Sequence, residues 1–343
     1  MEQWDRPSGA RCRPAHPIGP DQRVRPAVAG HAGGQRQPNA IHALPAVSLG
    51  RRTRGYRVHV PRAYTPTRPQ PVVLVFHGHG GDGAGIEAAT GFSQLAEQRR
   101  FIAVYPQGLP FTDGGAFWAS AGPIDEGIDD LLFIADLLTT LQQGYCIDAS
   151  RIYVTGFSSG GGGMANFLAC RLAGRIAAAA PVSGNYYPLP GGCHPSRPIA
   201  ILSVHGSADP ILPYGGLAAQ DNGGWTLPAI PDWLREWATL DGCRAGPPSI
   251  ARGAELTEQR WSGCRSGSTI IHYRIEGGGH TWPATLNGRP TTAVMWDFFA
   301  AHTMPPPSTS TPTPPTPTPA TPAPPTATGS PKVTGQVAAD PAA

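Results

Sequence analysis

The chain has 343 residues, 40% hydrophobic and 14% charged, with a formal net charge of +3 and six cysteines. That is enough for one large domain with a full core plus tails, and no apolar run approaches the ~18 residues of a membrane-spanning helix. The basic residues gather in the first sixty positions, Arg51, Arg52, Arg54 and Arg57 among them, beside Pro, Gly, Ala and His. Without aromatic partners on a folded face they read as a solvated arm and exclude a nucleic-acid-binding protein.

Residues 1–45 lack apolar periodicity and are rich in Pro, Gly, Arg and Gln, so they form a disordered arm in which no stretch resembles a signal-peptide core. From 46 to 304 strand-like and helix-like stretches alternate. Tyr56–Val60 and Val72–Phe76 read as strands, Ile86–Gln98 as a helix and Phe101–Tyr105 as a strand. Ile128–Leu141 is an amphipathic helix expected to turn Asp129, Asp130 and Asp136 outward. A strand over 151–156, a helix over 160–171 and the apolar runs Ile176–Val182 and Ile199–His205 follow. Helix 228–239, strand Thr269–Ile275 and helix Thr291–His302 complete the set. This alternation predicts an α/β domain, a mostly parallel sheet flanked by helices. Residues 305–343 open with a Pro/Thr/Ser tract that cannot bury a core and reads as an extended tether.

Chemistry concentrates at Gly156-Phe157-Ser158-Ser159-Gly160, between a β-branched strand and a helix. A serine hydroxyl is a poor nucleophile until a base takes its proton. A sharp strand-to-helix turn flanked by glycines exposes it, and the helix N-terminus turns free N–H groups toward a developing oxyanion. An acid and a histidine should then follow, each just after a strand. His205-Gly206-Ser207-Ala208-Asp209-Pro210 and Gly277-Gly278-Gly279-His280-Thr281-Trp282 meet that demand in that order, making Asp209 and His280 the candidates. The bland alternatives are a turn residue before Pro210 and a surface histidine. His77, His79, His205, His272 and His302 compete for the base role; His205 and His272 lie within strands and His302 ends a helix, which makes them poorer.

The loop His77-Gly78-His79-Gly80-Gly81-Asp82, directly after a strand, reads as the second half of an oxyanion hole, with the N–H of His79, in preference to Gly78, joining that of Ser159. An ordinary glycine-rich turn is the alternative. None of the cysteines has C-x-x-C metal spacing. Cys170 with Cys193 and Cys243 with Cys264 each bracket a local excursion between core elements and are the pairings expected, unless several are simply buried thiols.

Taken together, YCIDASRIYVTGFSSGGGGM, RIAAAAPVSGNYY, HGSADPILPYGG and GGGHTWP resemble the extracellular feruloyl esterases, a group itself similar to polyhydroxybutyrate depolymerase-type esterases. The likeness runs from about Tyr56 to His302 and covers neither tail. It implies an α/β-hydrolase fold, Ser158 as nucleophile, His280 as base, Asp209 as its orienting partner, secretion to the exterior or cell wall, ester substrates on plant polysaccharide and no cofactor or metal. The segment Phe117-Trp118-Ala119-Ser120-Ala121 lacks the cysteines many relatives carry near the corresponding tryptophan. Trp118, Trp225, Trp282 and Tyr214 are candidate walls for a planar cinnamoyl group. The expectation is a monomeric serine esterase acting on feruloyl esters, with polyhydroxybutyrate oligomers or acetylated xylan as alternatives. A catalytically silent carbohydrate-binding domain and a serine peptidase are the readings from other classes.

Overall fold

The computed structural model describes residues 47–49, 52–112, 114–121, 128–244, 246 and 249–305. The arm over 1–45, Cys12 and the tail beyond Pro305 lie outside the described residues. Nine strands form one sheet: β1 (Tyr56–His59), β2 (Gln70–Phe76), β3 (Ile102–Pro106), β4 (Ile147–Phe157), β5 (Ala178–Val182), β6 (Ala200–Gly206), β7 (Ser249–Ala251), β8 (Leu256–Trp261) and β9 (Ile270–Ile275). Across the sheet they run β7-β8-β9-β6-β5-β4-β2-β3-β1. The centre, from β3 through β9, is parallel, and β1, β8 and β7 join antiparallel at the two edges.

Alternation along each central strand sends side chains to opposite faces. Val72, Leu74 and Phe76 face one core with Phe133, Leu137 and Leu141 of α3 (Asp130–Gly144) and Trp233 and Trp237 of α5 (Ile230–Leu240). Val73 and Val75 face a second core with Ile86 of α1 (Gly83–Thr90), Phe92 and Ala96 of α2 (Phe92–Arg99) and Met295 and Phe299 of α6 (Thr291–Ala300). Burying both faces is what makes PVVLVF and IAVYP continuous apolar runs. Each large aliphatic or aromatic side chain contributes on the order of 2 kcal/mol to this burial.

Three expectations are corrected. The helix expected over 86–98 is two helices, because Gly91 takes a left-handed φ of 69° and ends α1 as its C-cap. Asp130 does not face outward: it and Arg54 are both buried and paired at 2.8 Å. Arg54 and Arg57 therefore belong to the folded domain and not to a solvated arm, Arg57 reaching Glu87 at 2.9 Å. An isolated buried charge is very costly, so a partner on α3 is what allows Arg54 to enter the core.

Candidate active site

The strand order reverses between β2 and β4, the chain leaving β2 toward β3 and returning on the other side as β4. In such sheets the crevice for a ligand opens beyond the carboxyl ends at that switch point. Two segments meet there, the 77–82 loop after β2 and the Ser158 turn after β4.

Ser158 itself has φ 56°, a conformation that costs a non-glycine residue about 1 kcal/mol or more. The chain then makes a tight turn over 158–160, a wider π-type turn over 161–166 and one α-turn, α4 (Phe167–Arg171). The glycines either side are demanded by crowding. A Cβ on Gly160 would stand 2.3 Å from the Phe76 carbonyl oxygen, and one on Gly156 would stand 2.4 Å from the Gly160 carbonyl oxygen. The helix is pinned from behind: Gly163 N–H donates to Asn185 Oδ1, and Asn166 Oδ1 accepts from the indole N–H groups of both Trp233 and Trp237.

His280 and Asp209 come together across the ends of β9 and β6. His280 Nδ1 donates to Asp209 Oδ2 at 2.8 Å, and the Asp209 carboxylate is wholly buried. Its other oxygen, Oδ1, accepts from the N–H groups of Ile211 and Leu212, both at 2.9 Å. These bonds hold the carboxylate rigid and fix the imidazole so that Nε2 is its free nitrogen. The His280 ring packs on Phe157, with ring centres 4.8 Å apart, so the imidazole lies beside the residue that precedes Ser158. Among the described residues no hydrogen bond yet joins Ser158 to His280; such contacts commonly tighten only with substrate bound.

The 77–82 loop is clamped against this turn. A Cβ on Gly78 would lie 3.2 Å from Ser158 Cβ. His77 is buried, its Nδ1 donating to the Gly78 carbonyl and its Nε2 accepting from Gly108 N–H. Burial lowers its basicity and keeps it neutral, as that pairing requires. Trp118, expected on the pocket wall, is only 2% exposed and donates its indole N–H to the His77 carbonyl at 2.9 Å. It stands behind the loop as a support because its ring fills the core against Phe76.

Two further histidines brace the segment that carries Asp209, a role sequence reasoning missed. His205 Nε2 donates to the Leu212 carbonyl at 2.8 Å and lies 3.4 Å from Asp209 Oδ2. His272 bonds Ser203 Oγ through Nδ1 and the Tyr214 hydroxyl through Nε2. Burial lowers the pKa of both, that of His272 to about 3 with His205 and Arg274 adding to the effect. The sequence signal for the first was present in the His205-to-Asp209 spacing at a strand end. With His302 Nδ1 bonded to the Phe298 carbonyl, the competing histidines His77, His205, His272 and His302 are engaged elsewhere.

The remaining aromatic candidates are dispersed. Tyr214 directs its hydroxyl inward to His272, Trp282 packs its edge on Phe92, and Trp225 is 44% exposed on the loop after β6. Disulfides join Cys170 to Cys193 and Cys243 to Cys264, and Cys146 is disulfide-bonded as well. Among the described residues no group of three or more His, Cys, Asp or Glu side chains could hold a metal ion, and no helix is long and apolar enough to cross a membrane.

No family model matches the chain. It is 30% identical over 258 residues to feruloyl esterase C of Emericella nidulans, covering 72% of this chain and 84% of that protein. It is 29% identical over 253 residues to feruloyl esterase B of Piromyces equi, covering 72% of this chain; the match spans 45% of that longer relative. Among solved structures, an acetyl xylan esterase from Aspergillus awamori superposes with a TM-score of 0.53 at 21% identity, over 72% of this chain and 94% of that one. The shared architecture is the α/β-hydrolase fold.

Proposed function

The chain belongs to the feruloyl esterase and acetyl xylan esterase family of α/β-hydrolases, and we propose that this carboxylic ester hydrolase works through an acyl-enzyme on Ser158 to release hydroxycinnamates from plant cell-wall xylan. The observation that carries the reading is the buried Asp209 carboxylate bonded to His280 Nδ1 at 2.8 Å beside a serine held at φ 56°.

In this reading Ser158 Oγ attacks the ester carbonyl as His280 Nε2 takes its proton. Asp209 stabilises the resulting imidazolium without itself becoming protonated. The negative charge on the carbonyl oxygen develops between the N–H groups of Ser159 and His79. Collapse expels the alcohol, which takes the proton back from His280, and water repeats the sequence on the acyl-enzyme. The disulfides suit an oxidising compartment, so the site of action is extracellular or at the cell wall.

Acetylated xylan is the second reading. It is favoured by the burial of Trp118, which removes one flat face expected for a cinnamoyl ring. Comparing kcat/KM for methyl ferulate, acetylated xylo-oligosaccharide and 3-hydroxybutyrate oligomers on one preparation tests the assignment. Preference for methyl ferulate by several-fold is expected from ring stacking worth ~0.5–1.5 kcal/mol. A preference for acetyl esters selects the second reading, and a preference for hydroxybutyrate oligomers overturns both.

A further inference from the structure

A cleft of about 390 Å³ opens between the 80–82 segment and the 107–116 segment. It begins two residues past Gly78, whose Cα carries a Cβ position 3.2 Å from Ser158 Cβ. The reach of a two-residue span therefore puts its near end within about 10 Å of Ser158.

The walls are unlike those of an acyl pocket. Gly80, Gly81, Gly108 and Gly114 line it, and among the described residues no aromatic ring does. Two side chains on its rim each have one polar atom bound and one to spare. Gln107 Oε1 accepts from Gly83 N–H at 3.0 Å, which leaves the amide Nε2 as a donor. Asp82 Oδ1 accepts from Gly85 N–H at 2.6 Å, which leaves Oδ2 as an acceptor. Arg54 also lines the cleft, but its charge is taken up by Asp130 at 2.8 Å, so the site is not built for a carboxylate or phosphate. An amide donor and a carboxylate acceptor flanking bare backbone match the alternating donors and acceptors of adjacent sugar hydroxyls. The volume falls within the range of small-molecule sites.

We propose that this cleft binds the carbohydrate on the alcohol side of the ester, as a short neutral oligosaccharide lying across the 80–82 and 107–116 segments. The inference rests on the reading of this chain as an esterase of polysaccharide-borne esters. It assigns the leaving sugar a fixed path past the oxyanion loop, with the acyl group lodged elsewhere.

The test compares one acyl group on two alcohols, the methyl ester and the xylo-oligosaccharide ester of ferulate, or of acetate if acetate is the better acyl group. Ala116→Trp fills the cleft; Gln107→Glu keeps the acceptor for Gly83 and replaces the donor with a second, negatively charged acceptor. Each variant should lower the ratio of kcat/KM, sugar ester over methyl ester, by about tenfold, the scale expected when one hydrogen bond to the ligand is lost. Binding of unesterified xylo-oligosaccharide, measured by titration calorimetry on the full chain, should weaken by a similar factor. If Ala116→Trp fails to fold, as a melting curve will show, Gln107→Glu carries the comparison. A ratio within twofold of the parent in the folded variants, or no binding of the free oligosaccharide by the parent, overturns the proposal. Absence of turnover on every ester would refute the enzymatic reading instead, and the calorimetry would still decide the cleft.

Discussion

His272→Gln should remove a pH dependence of stability that is built into the fold. In the native protein burial holds His272 near a pKa of about 3, while in the unfolded chain it titrates at 6.5. Between those values the unfolded chain binds a proton that the native state refuses, so His272 makes stability fall as pH falls. Over one and a half pH units, from 6.5 to 5.0, at ~1.4 kcal/mol per unit, the loss is about 2 kcal/mol. His205, also lowered by burial, acts in the same direction. Asp241 acts in the opposite one: burial raises it from 3.8 to about 6, so in this window its native form takes up a proton that the unfolded chain releases. The raw stability of the parent therefore mixes opposed contributions, and the difference between parent and variant is the readout. Urea unfolding followed by tryptophan fluorescence at pH 7.5 and pH 5.0 gives that difference at each pH. The variant's stability relative to the parent should improve by about 2 kcal/mol on going to pH 5.0. A difference that stays constant within ~0.5 kcal/mol would falsify the assignment of His272 as a buried neutral group.

Other perturbations have equally definite outcomes. Ser158→Ala should cut turnover of p-nitrophenyl acetate by roughly a thousandfold or more with the fold intact; a variant retaining a tenth of the parent rate would mean that another residue is the nucleophile. Ser158→Gly should be as inactive yet more stable than Ser158→Ala by about 1 kcal/mol, since glycine accepts the left-handed φ of 56° without strain; equal melting temperatures would remove the strain argument. Gly160→Ala should destabilise by more than ~3 kcal/mol or prevent folding, because its Cβ would sit 2.3 Å from a backbone oxygen, and a well-folded, active variant is the contrary result. Replacing Cys243 and Cys264 by serine opens a loop of 21-residue separation and should cost about 3 kcal/mol, read from chemical denaturation; no change in the midpoint would mean the crosslink adds nothing.

The central strands were readable because burial on both faces leaves no charged residue in QPVVLVF or IAVYP. The edge strands β7 and β8 were not, since LTEQRW hides a buried Glu258 that is acceptable only with Arg252 and Arg260 folded against it. The break at Gly91 was masked by an apolar pattern that continues through it, while the capping bond that ends α1 leaves no trace in periodicity. Within the site, chain order and strand-end position identified Asp209 and His280 as partners, because both depend on local sequence. The placement of Trp118 depends on what stands behind it. Whether a tryptophan walls a pocket or props a loop from inside is decided here by a residue 41 positions away, and composition carries no record of that.

The buried Arg54–Asp130 pair bears on where this protein can be cut. The Arg54 guanidinium lies over the rings of Phe133 at 4.3 Å and Trp118 at 5.8 Å. Asp130 also accepts the N–H of Ser120, two residues past the tryptophan that grips the His77 carbonyl. An expression fragment starting at Tyr56 would retain every strand of the main sheet together with Ser158, Asp209 and His280. It would nonetheless strand an aspartate in the core and slacken the brace behind the 77–82 loop. The working border of the enzyme thus lies upstream of β1, in the short strand Arg52–Arg54 that pairs antiparallel with Val47–Leu49 and that a boundary drawn from the main sheet alone would discard.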